Sequence, residues 1–428
     1  MVRLTFCVYG IIIMLSNIHC SRRFLNINYE PYENHTLILL TPNDEYQLND
    51  LKRLGEIDQE LDILKHSAGV LNSLEVLVPP NKLNFLQEFA RKRRLQTNVK
   101  ANNYGRYKDV NIANKSAKFL STKLIYHYNS YQTIRQLCKN TAQKYPQLMQ
   151  LEFLGKSFEG RYLQLVKISK NPEANNPVIF IDAGIHAREW VSPATALYFI
   201  HMLLDRTNAA DLDNVDYYIL PLVNPDGYEF SRTKKRMWRK TRSKRKGSKC
   251  TGVDGNRNYG YKWATINAVT NPCNFATYVG PSAFSEAETT IVRKVMTTYL
   301  DRIKLYLTLH CYGQLILYPW GWDKAEKPEN IERVHALGVK AAAAMVKAGS
   351  QPFKVMSASE LYLTTGSSTD YAYHIGIPYS YAIELTDGYE FDFPESMLHS
   401  TLPPFYKSLQ TFAEQIREEY RNTSILQK

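Results

Sequence analysis

PVIFIDAGIHAREW, residues 177–190, passes from a near-continuous apolar run directly into a histidine, an arginine and a glutamate within four positions. The run VIFID (178–182) is strand-length and lacks the polar alternation of a half-exposed strand, so it reads as a strand covered on both faces. YYILPLV (217–223), KLYLTL (304–309) and YSYAIEL (379–385) share the pattern. Helix-period segments lie between them. SPATALYFIHMLLDR (192–206) offers Ser192 as N-cap with Pro193 in the first turn. SEAETTIVRKVMTTYL (285–300) opens on Ser285-x-x-Glu288, a capping-box spacing that makes Glu288 structural. ENIERVHALGVKAAAAMVKAG (329–349) is a third helix, and a stripe of Phe405, Leu409, Phe412, Ile416 and Tyr420 marks a fourth over 403–420. Strands alternating with helices predict an α/β domain with a mixed, mainly parallel sheet and helices on both faces.

In such a sheet, ligands bind outside the carboxyl ends of the strands. His186 and Glu189 follow the strand at 178–182, His310 ends 304–309, and Glu384 ends 379–383. Asn224-Pro225-Asp226-Gly227, after 217–223, reads as a tight turn. Two histidines and a glutamate form a ligand set for one catalytic zinc ion, with the fourth position left to water. His186-x-x-Glu189 closes a small chelate, and His310 joins it only on folding. The His-Glu-x-x-His helix of other zinc proteases is absent. His201, His335 and His374 fall on a helix face, within a helix and in a turn, and read as structural. Glu384, preceded by Ala382-Ile383, leaves apolar surroundings that would keep it basic enough to act as a general base. The bland alternative is a buried glutamate paired with an arginine.

With 428 residues, 44% hydrophobic and 22% charged, the chain has the size and composition of one large globular domain plus a smaller one. Residues 1–20, MVRLTFCVYGIIIMLSNIHC, have the layout of a secretory signal peptide, with an apolar stretch from Leu4 to Leu15 too short to span a bilayer. No later stretch approaches ~20 uninterrupted apolar residues, so a secreted, extracellular protein without membrane attachment is expected. Asn34, Asn114 and Asn422 head glycosylation triplets. Outside the leader lie Cys138, Cys250, Cys273 and Cys311; pairing Cys250 with Cys273, which bracket one loop, is the most economical choice. Cys311 reads as free or as a metal ligand. The net charge of +12 is concentrated in RTKKRMWRKTRSKRKGSK (232–249), which holds eleven Lys or Arg. A nucleic-acid or membrane patch is one reading. The interrupting Met237-Trp238 favours an exposed basic loop that places one arginine in a cleft, without nucleic acid as a partner.

Residues 21–117 differ in character. HTLILL (35–40) and SLEVLV (73–78) read as strands, Leu48, Leu51, Leu54, Leu61 and Leu64 as a helix, and 81–93 as a second helix with Leu83, Leu86 and Phe89 on one face. This small α+β unit ends in the polar, protease-accessible NNYGRYKDVNIANKSAK (102–118) and carries no catalytic cluster. It reads as a pro-segment. RKRR (91–94) is a second candidate cut or a basic helix end.

Taken as a set, these motifs resemble a secreted zinc metallocarboxypeptidase of the digestive pancreatic type (carboxypeptidase A/B) with its pro-segment, over essentially 35–420. The resemblance divides the chain into a signal peptide (1–20), an activation segment (21–117) and a catalytic domain (118–428). GIHAREW (184–190) then carries two zinc ligands, His186 and Glu189, and a substrate-binding Arg188. MWRKTRS places Arg239 where the family polarises the scissile carbonyl. GVDGNRNY (252–259) supplies Asn256 and Arg257 for the substrate's terminal carboxylate, and Asp254 to orient a zinc histidine. LTLHCYGQLILYPWG gives the third ligand His310 and a substrate-facing Tyr312, ELYLTTGSSTDY the mobile Tyr362, and YAIEL the general base Glu384. The Cys250–Cys273 disulfide is the family's. Thr369 falls at the floor of the specificity pocket, with Gly321, Ser357, Leu361, Thr364 and Ala382 lining the rest. A neutral floor implies release of neutral aliphatic or aromatic C-terminal residues from peptides and proteins with a free C-terminus. Asp370, if turned inward, would instead admit basic residues. Cys311 departs from the family's usual serine. The resemblance also implies an activating protease and a monomer. The rivals are a basic-specific carboxypeptidase on the same fold and a catalytically silent binding protein.

Overall fold

A computed structural model describes residues 32, 34–58, 60–65, 70–104, 124–387 and 391–420. The leader 1–20, the triplets at Asn114 and Asn422, and most of the cleavable tail at 102–118 lie outside these residues.

The strand at 178–182 is β7 (Val178–Ala183), buried along its whole length. Its residues divide between two apolar clusters. Ile179, Ile181 and Ala183 join one cluster with Leu305, Leu307 and Leu309, whereas Val178 and Phe180 join the other with Tyr218, Leu220 and Tyr306. That alternation fixes a three-layer domain. Burying Phe180 alone contributes roughly 2–3 kcal/mol. The large sheet has order β11-β10-β12-β9-β7-β8-β6-β5, built from β5 (Met149–Lys156), β6 (Tyr162–Ile168), β7, β8 (Asp216–Leu220), β9 (Ile303–His310), β10 (Leu315–Tyr318), β11 (Lys354–Ser357) and β12 (Tyr379–Glu384). The four central strands are parallel, β12 with β9, β9 with β7, and β7 with β8. β10 runs antiparallel to β12, as β6 does to β8 and β5 to β6. One face is covered by helices at Tyr131–Lys144, Val191–Leu203, Ile331–Lys347 and Leu398–Tyr420, the other by Ala287–Thr298 and Ser368–His374. The expected α/β architecture is present.

The N-terminal unit is a four-stranded antiparallel sheet of order β2-β3-β1-β4, from β1 (Thr36–Thr41), β2 (Asp62–Lys65), β3 (Leu74–Val78) and β4 (Gln96–Ala101). Helices at Glu45–Ile57 and Leu83–Lys92 pack on it around Leu40, Leu54, Val76 and Phe89. The first helix stops at Ile57, so Leu61 and Leu64 lie in a turn and in β2 rather than on a helical stripe. RKRR is a helix end, with Arg93 bonded to Asp50 and stacked on Phe89.

Four local expectations are corrected. Ser192 does not cap its helix, which begins at Val191. Its hydroxyl accepts from Gly184 N and donates to Leu309 O. Asn224-Pro225-Asp226-Gly227 is not a free turn: Asn224 caps the helix Pro225–Thr233, accepting from Gly227 N, with Pro225 in the first turn. The capping box at Ser285 does not form, because Ser285 Oγ donates to Glu286 and accepts from Asn258, and the helix starts at Ala287. His374 is the last helical residue of Ser368–His374 rather than part of a turn.

Candidate active site

Register brings the chemistry together. β12 and β9 pair with Glu384 opposite His310, and β7 lies on the other side of β9. The chain leaving β7 turns at Gly184 (φ +69°), where a Cβ would come within 2.8 Å of Leu222 and 2.9 Å of Pro193. Ser192 ties this turn to the backbone at Leu309, one residue before His310. Asn224 Nδ2 donates to Ile185 O and Lys240 O, and Ala187 N donates to Arg239 O. The loop 184–190 is thereby fixed to β9 and to the basic segment.

His186 Nδ1 lies 2.8 Å from Glu189 Oε1 and 3.1 Å from His310 Nδ1, which is 3.0 Å from Glu189 Oε2. All three side chains are buried, and their donor atoms fall within 4.8 Å of one another. The other ring nitrogens are engaged elsewhere, His186 Nε2 at 3.0 Å from Asp254 Oδ1 and His310 Nε2 at 3.1 Å from Thr308 Oγ1. In the tautomers that place the ring protons on Nε2, both Nδ1 atoms offer lone pairs beside the Glu189 carboxylate. Burial would raise Glu189, but the two imidazoles outweigh it and hold the carboxyl far below its usual range. Two nitrogens and one carboxylate oxygen in this disposition suit zinc. The Cys311 thiol is not in the donor group; its backbone N–H donates to Glu189 Oε2 instead. Burial pushes that thiol well above its ordinary pKa.

Arg239 donates twice to Asp254 Oδ2, through Nη2 at 2.9 Å and Nε at 3.2 Å, with Nη1 3.6 Å from Glu189. Arg257 Nη1 donates to Asn256 O and Nη2 to the Tyr362 hydroxyl at 3.3 Å. The Asn256 side-chain oxygen accepts from Ser368 N, which orients its amide nitrogen for another partner. Tyr362 is itself 39% exposed. Burial pushes the Glu384 carboxyl up to about 7 against the pull of His310. Tyr312 packs edge-on against Phe391. Arg188 is buried under the N-terminal unit, with Nη1 donating to Ile63 O at 3.2 Å and the guanidinium over Phe391; burial and neighbouring Arg239 lower it to about 10.

Thr369 is buried in the helix Ser368–His374, with its hydroxyl 3.3 Å from Ser367 Oγ. Both carboxylate oxygens of Asp370 accept from Gly321 N at 3.0 Å, and burial raises the group to about 7. A Cβ on Gly321 would meet Thr364 at 3.0 Å and Asp370 at 3.4 Å. Leu317, Met356 and Ala382, joined by Leu361, form a small apolar cluster nearby. Cys250 and Cys273 are disulfide-bonded, whereas Cys138 and Cys311 are free and buried. In the basic loop Trp238 packs against Phe230 and Arg242. Ser192, Asn224 and Thr308 hold the site yet carry no distinctive sequence signal, because their roles rest on hydrogen bonds between distant segments.

Residues 134–417 match the family model for zinc carboxypeptidase, and 38–109 match that for the carboxypeptidase activation peptide. A carboxypeptidase B from Helicoverpa zea is 41% identical over 60% of this chain, in an alignment spanning 62% of that protein. A carboxypeptidase B from Homo sapiens is 33% identical across 91% of this chain and 95% of its own length. The crystal structure of the carboxypeptidase A from Helicoverpa armigera superposes with a TM-score of 0.80 at 28% identity, covering 91% of this chain and 99% of that one. Agreement with the family models over both regions, together with a buried His–Glu–His group able to hold a metal ion at the sheet edge, places this chain in the zinc carboxypeptidase family.

Proposed function

We propose that the protein is a secreted zymogen whose catalytic domain, freed of its pro-segment by an activating protease, hydrolyses the C-terminal peptide bond of peptides and proteins and releases single neutral amino acids. The proposed divisions are a signal peptide at 1–20, the pro-segment at 21–117 and a monomeric catalytic domain at 118–428. The observation that carries this reading is the convergence, at one sheet edge, of the His186–Glu189–His310 group, the Glu384 carboxyl and the Arg257–Asn256 pair. An exopeptidase must recognise a free carboxylate, and a guanidinium beside an amide matches one with several charge-assisted bonds. Arg257 and Asn256 hold that carboxylate, and Tyr362, already in contact with Arg257, closes over it.

His186, Glu189 and His310 would hold a zinc ion, and the chemistry it would supply when bound is Lewis acidity toward the scissile carbonyl and a water. Glu384 takes the proton from the attacking water and returns it to the departing amine; its pKa near neutrality suits both transfers. Arg239 has N–H groups beyond those on Asp254 and stabilises the oxyanion, while Asp254 keeps His186 in the tautomer that leaves Nδ1 bare. Arg188 and Tyr312 contact the peptide upstream of the bond.

Neutral specificity rests on Thr369 at the pocket floor and the apolar cluster around Ala382. The basic-specific reading draws on Asp370, but that carboxylate is already bonded to Gly321 N and half-neutralised near pH 7 by burial. C-terminal profiling after removal of the pro-segment tests the proposal. Peptides ending in Phe or Leu should exceed those ending in Lys or Glu at least about tenfold in kcat/KM, and a chelator should abolish the activity. Preferential release of Lys would overturn the neutral assignment, and chelator-insensitive hydrolysis the zinc mechanism.

A further inference from the structure

β2 is the edge strand of the N-terminal sheet, and its outer side lies against the catalytic domain. It contacts that domain as an extended peptide would. The Ile63 carbonyl accepts from Arg188, and the neighbouring Asp62 side chain, only 6% exposed, enters a cleft of about 220 Å³. Lys235, Lys240, Arg242 and Lys249 line this cleft, with Trp238 among them, and Asp62 is its one acidic lining residue among the described residues. Asp62 Oδ1 sits 2.8 Å from Lys235 Nζ, and Oδ2 accepts from Tyr32. Lys240 is largely committed to the carbonyls of Asn274 and Pro272, and Arg242 is stacked between Phe230 and Trp238. Lys235 and Lys249 are the cations whose ammonium groups remain for a ligand. Departure of the N-terminal unit takes away the one carboxylate in a pocket walled by four positive groups. β2 itself links the cleft to the candidate active site, Asp62 pairing with Lys235 in the cleft while the carbonyl of the next residue, Ile63, accepts from Arg188 of the loop that carries His186 and Glu189.

We infer that this cleft is an upstream substrate subsite that takes the carboxylate side chain of an aspartate or glutamate preceding the scissile bond, so that the favoured substrates are acidic peptides with a neutral C-terminal residue. In the zymogen Asp62 occupies the subsite as a tethered mimic, and Lys235, with Lys249 at the rim, is its specificity-determining cation. The inference rests on the carboxypeptidase reading above and adds a substrate class to it.

The test uses the secreted full chain after limited proteolysis of its pro-segment. Peptides of six residues ending in Leu carry one Asp, moved through each position from the second to the fifth from the C-terminus, against the same series with Asn. One position should show an Asp-over-Asn ratio in kcat/KM of about three to ten, expressed mainly in KM and shrinking as salt screens the pair. Lys235→Glu should bring that ratio below one, and Lys249→Gln should lower it partially. Because the ratio is taken within a single preparation, it does not depend on how much of a variant folds. Equal ratios at every position, or a ratio untouched by Lys235→Glu, would overturn the subsite. A blocked dipeptide that lacks upstream residues separates the two readings. If the unaltered enzyme hydrolyses it while showing no Asp preference, only the subsite falls; if it hydrolyses neither the dipeptide nor the hexapeptides, the carboxypeptidase reading falls with it.

Discussion

Glu384 is the residue whose chemistry is most exposed to a direct test. Its carboxyl is raised to about 7 mainly by burial, and a divalent cation beside it would pull that value down. The general base must be ionised, so kcat/KM should climb with unit slope on the acid side and level off below pH 7. Glu384→Gln should remove that limb and cost ~10²–10⁴ in kcat, with zinc content unchanged by metal analysis; a variant retaining more than a tenth of the activity would exclude the role. Arg257 is tested through the substrate instead. Losing charge-assisted bonds worth about 1.5–3 kcal/mol each, Arg257→Ala should weaken free-acid peptides about ten- to hundredfold while barely affecting the same peptides as C-terminal amides. Equal losses on both would mean that Arg257 acts structurally. Glu384 was legible as a chemically committed type at the end of an apolar strand, whereas Arg257, in the short turn Gly255–Arg257, was reached only through the resemblance of GVDGNRNY to the family. Ser192, Asn224 and Thr308 were not legible, since serine, asparagine and threonine serve everywhere, and only the folded chain brings Gly184, Leu309 and Ile185 within their reach.

Among the elements, β7, β9 and β12 announced themselves because central parallel strands are buried on both faces and must be continuously apolar. The edge strand β5 and its neighbour β6 did not. MQLEFLGK and YLQLVKI alternate partly exposed residues with buried ones, and the sheet edge tolerates both. Asn224-Pro225-Asp226-Gly227 misled because the residues that make a tight turn also make a helix start. The helix Ala287–Thr298 offers a sharper lesson. Glu288, expected as the structural glutamate of a capping box, is fully buried in the first turn, and among the described residues neither carboxylate oxygen has a well-formed hydrogen bond, the backbone N–H groups of Glu288 and Phe158 only partly offsetting its burial. Burial, with smaller contributions from Glu286 and Asp226, raises it from 4.5 to about 8. A folded pKa above the unfolded one means that the folded state holds the proton more tightly. The resulting penalty is absent below about 4.5, grows by up to ~1.4 kcal/mol per pH unit between the two values, and is constant above about 8. Glu288→Gln should therefore flatten the stability profile across that window and gain most over the parent at pH 8. Denaturant titrations at pH 5, 6.5 and 8 would check it, and parallel profiles for the two proteins would show that Glu288 does not titrate with folding.

On the scale of the whole molecule, the N-terminal unit is more than a neighbour joined by a tail. Tyr32, Leu37, Leu64, Leu77, Ala101 and Tyr104 belong to the same apolar cluster as the helix-covered face of the large sheet, so cutting the tail alone leaves a hydrophobic interface to separate. Polar contacts fix its placement: Asp62 on Lys235, Ile63 O on Arg188 and Tyr104 on Asp392. Because Arg188 is a proposed substrate contact, the full chain should be poorly active and trimming should raise kcat/KM. The Asp62–Lys235 pair is about one-third exposed at its lysine, which limits its worth to ~1 kcal/mol. Asp62→Asn should accordingly raise the activity of the untrimmed chain only about fivefold. After trimming, parent and variant become one and the same polypeptide and must have equal rates, which separates a loosened pro-segment from any change in the catalytic domain. Should the untrimmed parent already match the trimmed enzyme, the contacts of β2 would hold the two units together without restraining catalysis.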